Sequence, residues 1–289
     1  MLIPNKQLKN GFSMPAFGLG TWKMGGDRNR DPDNDDAADI TAIRTAIELG
    51  VTHIDTAELY GDGKAEELIS EAVQGYDRSK LFIISKVKWT NLAYDEILSA
   101  CEKSLQRLRM DYLDMYVLHS YSEEVPLEES MRALDALVDR GLVRSIGVCN
   151  FGVRHLAEAQ KLAKHPVVYD QVHYNLEFRE PERAGLLEYC QKNDVLLAAW
   201  RPVRSFSSAV QVPEILEKMC QKYGKTPAQI AINWLVSQEN VVTLSKTRNI
   251  DHLKENIEAV GWNMSADDIE LLRREYPDQK DVSDAVPLE

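Results

Sequence analysis

A chain of 289 residues, 44% hydrophobic and 28% charged, has the length and balance expected of an α/β barrel forming one domain over residues 1–289. Its formal charge of −12 argues against a general nucleic-acid or anionic-membrane surface, while leaving room for a local basic pocket around a phosphorylated cofactor. The four cysteines form no CxxC pair, and the sequence carries neither a signal-peptide core nor an apolar run of membrane-spanning length, so a reduced, cytoplasmic, monomeric protein is expected.

Taken in chain order, Asn10-Gly11 between apolar flanks predicts a small hairpin that caps one end of the fold. Phe17–Trp22 reads as a strand. The acidic run Asp27–Asp36 reads as a solvated loop and helix cap, with Asp35 or Asp36 as the cap. Ile40, Ile43 and Ile47 then share one helical face, and Gly50 closes that helix. Thr52–Ala57 and Leu81–Val87 are the next strands. Ile97, Cys101, Leu105 and Leu108 give a second helical face, Tyr112–His119 a strand, and Met131, Leu134, Leu137 and Val138 a third face ending at Gly141. Val143–Asn150, Val168–Asn175 and Val195–Trp200 read as strands, followed by an extra helix around Val212–Tyr223. Val241–Lys246 is the last strand. Leu253, Ile257 and Val260 supply the last barrel helix, and Ala266–Arg274 a second extra one. Eight strands with helices between them predict a closed parallel (β/α)8 TIM barrel with an N-terminal hairpin cap and two extra helices.

In such a barrel the chemistry collects at the C-terminal ends of the strands. Asp55, Tyr60, Lys86 and His119 all fall there, from the second, third and fourth strands. A carbonyl reduced by hydride needs a proton on its oxygen, and a tyrosine with a pKa of about 10 gives one up poorly. A buried ammonium beside the phenol lowers that pKa, and Asp55 would hold Lys86 in place and charged. A histidine can polarise or orient the carbonyl. Taken singly, Tyr60 is a turn aromatic, His119 a core histidine, Lys86 a strand-end lysine and Asp55 a helix cap. Their joint placement favours catalysis. Two other chemistries fit parts of the set. Lys86 as a Schiff-base amine would make a lyase, but a nearby Asp55 should raise the lysine pKa. The His53-x-Asp55 pair hints at a metal site, with only His119 and His173 as further candidates, and no metal is expected.

The segments Gly18-Leu-Gly-Thr-Trp22, Ile54-Asp-Thr-Ala-Glu-Leu-Tyr-Gly61, Ile84-Ser-Lys86, Ser104-Leu-Gln-Arg-Leu108, Asp111-Tyr-Leu-Asp114, Leu118-His119, Gly147-Val-Cys-Asn-Phe151, Asp170-Gln171, Ser245-Lys246 and Glu255-Asn256 occur in order along essentially the whole chain. With them the chain resembles the aldo-keto reductase superfamily. The resemblance implies NAD(P)H-dependent reduction of aldehydes and ketones on a barrel, and the chain has no GxGxxG fingerprint. It makes Tyr60 the general acid, with Lys86 and Asp55 tuning it and His119 orienting the substrate. It assigns the cofactor to Gly20, Thr21, Trp22, Asp55, Cys149, Asn150, Gln171, Trp200, Arg201, Pro202, Val203, Lys246, Thr247, Arg248, His252, Glu255 and Asn256. Asn150 and Gln171 would hold the carboxamide, and Trp200 stands where a tyrosine usually stacks on the nicotinamide.

Three departures stand out. Cys149 replaces a common serine. Trp200-Arg201-Pro202-Val203 replaces Tyr-Ser-Pro-Leu in the loop that covers the pyrophosphate. His252 replaces an arginine that grips the 2′-phosphate, with Lys246 retained and Arg248 nearby as a substitute grip. NADPH is therefore the expected cofactor, with NADH also usable. Trp22, Tyr60, Trp89 and His119 line the expected substrate pocket. The short acidic tail from Tyr276 offers few large apolar groups, which suits small aldehydes, dicarbonyls or sugar-like carbonyls. The competing reading on the same barrel is a nicotinamide-nucleotide-binding regulatory protein with little turnover.

Overall fold

The computed structural model describes residues 3–203 and 212–288. The hairpin comes first: β1 (Asn5–Gln7) pairs antiparallel with β2 (Ser13–Pro15), and Asn10-Gly11 turns the chain with Gly11 at φ +92°. Eight parallel strands then close into a barrel. They are β3 (Phe17–Gly20), β4 (His53–Asp55), β5 (Phe82–Val87), β6 (Met115–Leu118), β7 (Ile146–Cys149), β8 (Val167–His173), β9 (Leu196–Trp200) and β10 (Val241–Ser245), with β10 pairing back onto β3.

Period-two alternation sorts the side chains of each strand. Ile84, Met115, Val117, Cys149, Val168, Leu196, Ala198 and Val242 form the inner cluster, joined by Leu8 and Met14 from the hairpin region. Ile54, Ile83, Tyr116, Val148, Val172 and Leu197 instead face the helical ring. The barrel is thus a packed core with a plug at the strands' N-terminal end. Asp194, just before β9, accepts from the backbone N–H groups of Lys9 and Asn10 at 2.7 and 2.8 Å and fixes that plug.

The helices are α1 (Asp36–Glu48), α2 (Lys64–Ala72), α3 (Tyr94–Leu108), α4 (Leu127–Asp139), α5 (Val153–Leu162), the one-turn α6 (Glu180–Arg183), α7 (Leu186–Lys192), α8 (Glu214–Tyr223), α9 (Pro227–Val236), α10 (Ile250–Ile257) and α11 (Ala266–Glu275). Asp35 caps α1 by accepting from Ala38 N at 3.0 Å. Thr226 and Gln229 cap α9 reciprocally, with Pro227 at its start. The expected extra helices are α8 and α11. Val260 lies in a turn just beyond α10; β5 and β9 end where expected, at Val87 and Trp200, and the other barrel strands end one or two residues short of their expected C-termini. The chain leaves β3 after Gly20, for instance, because Thr21 N turns to bond the carbonyl of Asp55 at 3.0 Å.

After α11 the tail folds back over the segment between β8 and α7. Arg179 N donates to Lys280 O at 2.8 Å, Ser283 N to Glu180 Oε2 at 2.8 Å, and Leu288 N to Glu180 Oε1 at 3.1 Å.

Candidate active site

Asp55 and Lys86 face the barrel interior at adjacent strand ends, on β4 and β5. Lys86 is fully buried, and its Nζ donates to Asp55 Oδ1 at 2.6 Å, to the carbonyl of Thr56 at 2.8 Å, and lies 3.2 Å from Tyr60 Oη. Tyr60 reaches this point because the chain turns sharply after β4, with Tyr60 N bonded to Ala57 O and Gly61 in the left-handed region at φ +57°. His119 directly follows β6, its backbone N–H held by Val87 O at 3.0 Å. Its ring meets Tyr60 edge-on at 5.7 Å, and Trp22 meets Tyr60 from elsewhere at 4.9 Å. The four expected residues come together.

The electrostatics correct one expectation. The sequence predicts a phenol with a lowered pKa, yet Tyr60 is pushed up to about 12. Burial is the largest cause, Lys86 opposes it, and the carboxylate of Asp55 adds to it. Lys86 lowers the phenol only relative to what burial alone would do. Burial also works against charge on Lys86, but Asp55, Tyr60 and Cys149 together outweigh it and hold the lysine pKa above its ordinary value. Such an ammonium is no amine nucleophile, which speaks against a Schiff-base reading. His119 falls to about 3 through burial, then the charges of Lys86 and Arg28, so its imidazole is neutral near pH 7. His53, two residues before Asp55 on the same interior face, is fully buried and drops to about 4 by desolvation.

A second set of groups adjoins the first. Gln171 on β8 donates to Asp55 Oδ2 at 2.9 Å and to Tyr169 Oη at 2.8 Å, while among the described residues its Oε1 receives only the Cys149 thiol at 3.7 Å. Asn150 adopts φ +61°, donates to His119 O at 3.3 Å, and leaves a buried Oδ1 without a partner among the described residues. These two amide oxygens suit the N–H donors of a carboxamide. Trp200 at the end of β9 stacks on His173 at 4.2 Å, His173 stacks on Phe178, and Ser283 Oγ of the tail lies 2.8 Å from His173 Nδ1. Strand parity places His173 with Gln171 and Trp200. That parity is the signal the sequence holds for it, where a metal-ligand role is the other reading. Arg201 follows at φ +58°, its guanidinium 4.9 Å from the Trp200 ring, with Pro202 buried and Val203 half-buried.

The third group lies after β10. Partial burial and the charges of Arg248 and Lys23 lower the pKa of Lys246, with Asp39 opposing, so cations crowd here in a way that suits phosphate. Thr247 Oγ1 accepts from Asn249 N at 3.0 Å, and His252 is exposed, its backbone N–H capped by Asn249 Oδ1 at 3.1 Å. Arg248 is exposed, but its side chain is paired. Its guanidinium clasps the buried carboxylate of Asp39 and the side-chain oxygen of Asn34, and donates to Lys23 O at 3.2 Å. It therefore joins the β10 loop to α1 and to the loop before it. Glu255 is half-buried and Asn256 buried, with Asn256 Nδ2 donating to Ser245 Oγ at 3.1 Å. At Gly20 a Cβ would sit 2.7 Å from Leu244 Cδ1, so a side chain there would displace the tip of Leu244. Trp89 is 38% exposed, with Arg28 over its ring.

The model of the Aldo/keto reductase family matches residues 16–276. Methylglyoxal reductase YeaE of Escherichia coli is 32% identical over 95% of both chains, and the glyoxal reductase of Bacillus subtilis is 33% identical over 92% of this chain and 90% of its own. Among solved structures, the thermostable aldo-keto reductase Tm1743, in complex with the inhibitor epalrestat, superposes with a TM-score of 0.88 at 43% identity, covering 93% of this chain and 98% of its own. An aldo-keto reductase from Klebsiella pneumoniae in complex with NADPH gives 0.84 at 32% identity, covering 98% of each chain. A closed eight-stranded barrel with a buried Asp55–Lys86–Tyr60 cluster at its mouth, matched over nearly its full length, belongs to the aldo/keto reductase family of oxidoreductases.

Proposed function

We propose that this chain, acting as one domain, reduces small aldehydes, ketones and dicarbonyls to alcohols, with NADPH preferred and NADH also used. The observation that carries the reading is the Lys86 ammonium, buried and within 2.6 Å of Asp55 and 3.2 Å of Tyr60 Oη. NADPH, when bound, would be the source of hydride for the carbonyl carbon. Tyr60 Oη gives its proton to the carbonyl oxygen as negative charge develops there, and the phenolate left behind is stabilised by Lys86. Asp55 keeps Lys86 charged. Neutral His119 orients the carbonyl by donating a hydrogen bond rather than as an imidazolium. Water then returns a proton to Tyr60, so carbonyl, NADPH and one proton give alcohol and NADP+.

Asn150 and Gln171 would orient the carboxamide, Trp200 would back the nicotinamide ring, and Lys246, Thr247 and His252 would meet the 2′-phosphate. The relatives that reduce methylglyoxal and glyoxal by name support a dicarbonyl substrate. The test follows nicotinamide absorbance across an aldehyde and dicarbonyl panel, with NADPH and NADH in parallel and Tyr60→Phe as control. Oxidation that vanishes in the variant, with NADPH affinity kept, is the expected result. Cofactor binding without turnover on any member would replace this reading with a nucleotide-binding regulatory protein.

A further inference from the structure

The loop from Thr21 to Asp35 is built onto the proton-donor loop. Gly61 N donates to Asp27 O at 2.8 Å and Asp62 N to Arg28 O at 3.0 Å. Asp31 N closes the turn onto Gly25 O at 3.0 Å, and at Gly26 (φ +129°) a Cβ would lie 2.2 Å from the carbonyl oxygen of Asn29. The backbone of Arg28 is therefore fixed one residue-pair away from Tyr60.

The other cations of this loop are in use. Lys23 pairs with Asp27 at 3.4 Å, and Arg30 with Glu67. Arg28 has no carboxylate partner among the described residues, in a chain with 46 acidic residues against 34 basic ones. Its guanidinium carbon instead lies 5.6 Å from the centroid of the Trp89 ring. The charges of the loop also face two ways. Lys23 is felt at Lys246, beside the proposed phosphate grip, whereas Arg28 is felt at His119.

We propose that Arg28 is the anion anchor of the substrate pocket, so that favoured carbonyl substrates carry a carboxylate a few bonds from the carbonyl. The guanidinium offers a planar two-pronged donor that matches a carboxylate, and the Trp89 face beneath it supports the cation without neutralising it. This inference rests on the reductase reading above.

The test compares kcat/KM for 4-oxobutanoate and its methyl ester, with NADPH, in the wild type and in Arg28→Gln. The wild type should favour the acid over the ester, and the ratio should fall about tenfold in the variant, in line with loss of a charge-assisted hydrogen bond. Added salt should erode the wild-type ratio, and Arg28→Lys should restore part of it. A ratio that Arg28→Gln leaves unaltered, or a loss confined to KM for NADPH, would overturn the anchor while leaving the reductase intact. Failure of the wild type to reduce either compound or any aldehyde of the wider panel would remove the reductase reading, and the anchor with it.

Discussion

Gln171 donates its side-chain amide to Asp55 Oδ2 at 2.9 Å, the oxygen that Lys86 leaves to it. One carboxylate is thus shared between the proposed carboxamide subsite and the proposed proton-donor pair. Gln171→Ala should weaken NADPH binding by about tenfold, from the loss of hydrogen bonds worth roughly 1 kcal/mol each, and should lower kcat as well. Fluorescence titration and turnover measured on the same variant decide it. A change in affinity with kcat untouched would show the two subsites to be independent.

Asp55→Asn would leave the Lys86 ammonium buried without its counter-charge. Breaking such a pair costs roughly 3–5 kcal/mol, and the lysine pKa should fall. Neutral lysine no longer supports the Tyr60 phenolate, so the residual kcat of Asp55→Asn should rise as the pH is lowered and Lys86 regains its proton. A kcat profile that keeps the wild-type shape would separate Asp55 from the lysine's charge.

His252→Arg places a permanent charge where the structure has an exposed imidazole beside the Lys246 cluster. NADPH should bind about tenfold more tightly, one charge-assisted contact, with NADH affinity nearly unmoved. An equal gain for both cofactors would take His252 out of the 2′-phosphate subsite.

His53 gives the protein a pH-dependent stability. Its folded pKa is about 4 against 6.5 for the free group, so between these values the unfolded chain holds the extra proton. Stability is therefore full above about 6.5 and declines as the pH falls toward about 4, by up to on the order of 3 kcal/mol. His119 adds in the same direction down to about 3. Urea unfolding of wild type and His53→Leu at pH 7 and pH 4.5 should show a shallower pH slope in the variant. Gly18→Ala should be destabilised at both pH values, because its Cβ would fall 2.3 Å from the His53 ring.

Much of this was legible in the residues. Each barrel strand was visible as a short apolar run, and strand parity alone brings Asp55, Lys86 and Gln171 to the interior. One helix that no periodic face discloses has a physical reason. α9 is apolar nearly all round, with Ile230, Ala231, Ile232, Trp234 and Leu235 all buried, so it carries no polar stripe to mark its period. α2, by contrast, does carry an apolar face at helical spacing, Ala65, Leu68, Ile69 and Ala72, with the buried carboxylate of Glu66 beside it taking Ser85 Oγ at 2.5 Å and Arg107 Nε at 2.6 Å. The pairing of Arg248 with Asp39 spans 209 residues and leaves no local signal. The net direction of the Tyr60 shift depended on desolvation, which composition does not display.

The tail that crosses to His173 gives Ser283 a grip on a ring 110 positions upstream in sequence. Ser283 steadies His173, His173 backs Trp200, and Trp200 is the proposed face for the nicotinamide. A protease nick after Tyr276, or a bulky fusion at the carboxyl end, would slacken that stack without opening the barrel. Cofactor affinity would then serve as an assay of whether a preparation still carries the segment around Ser283.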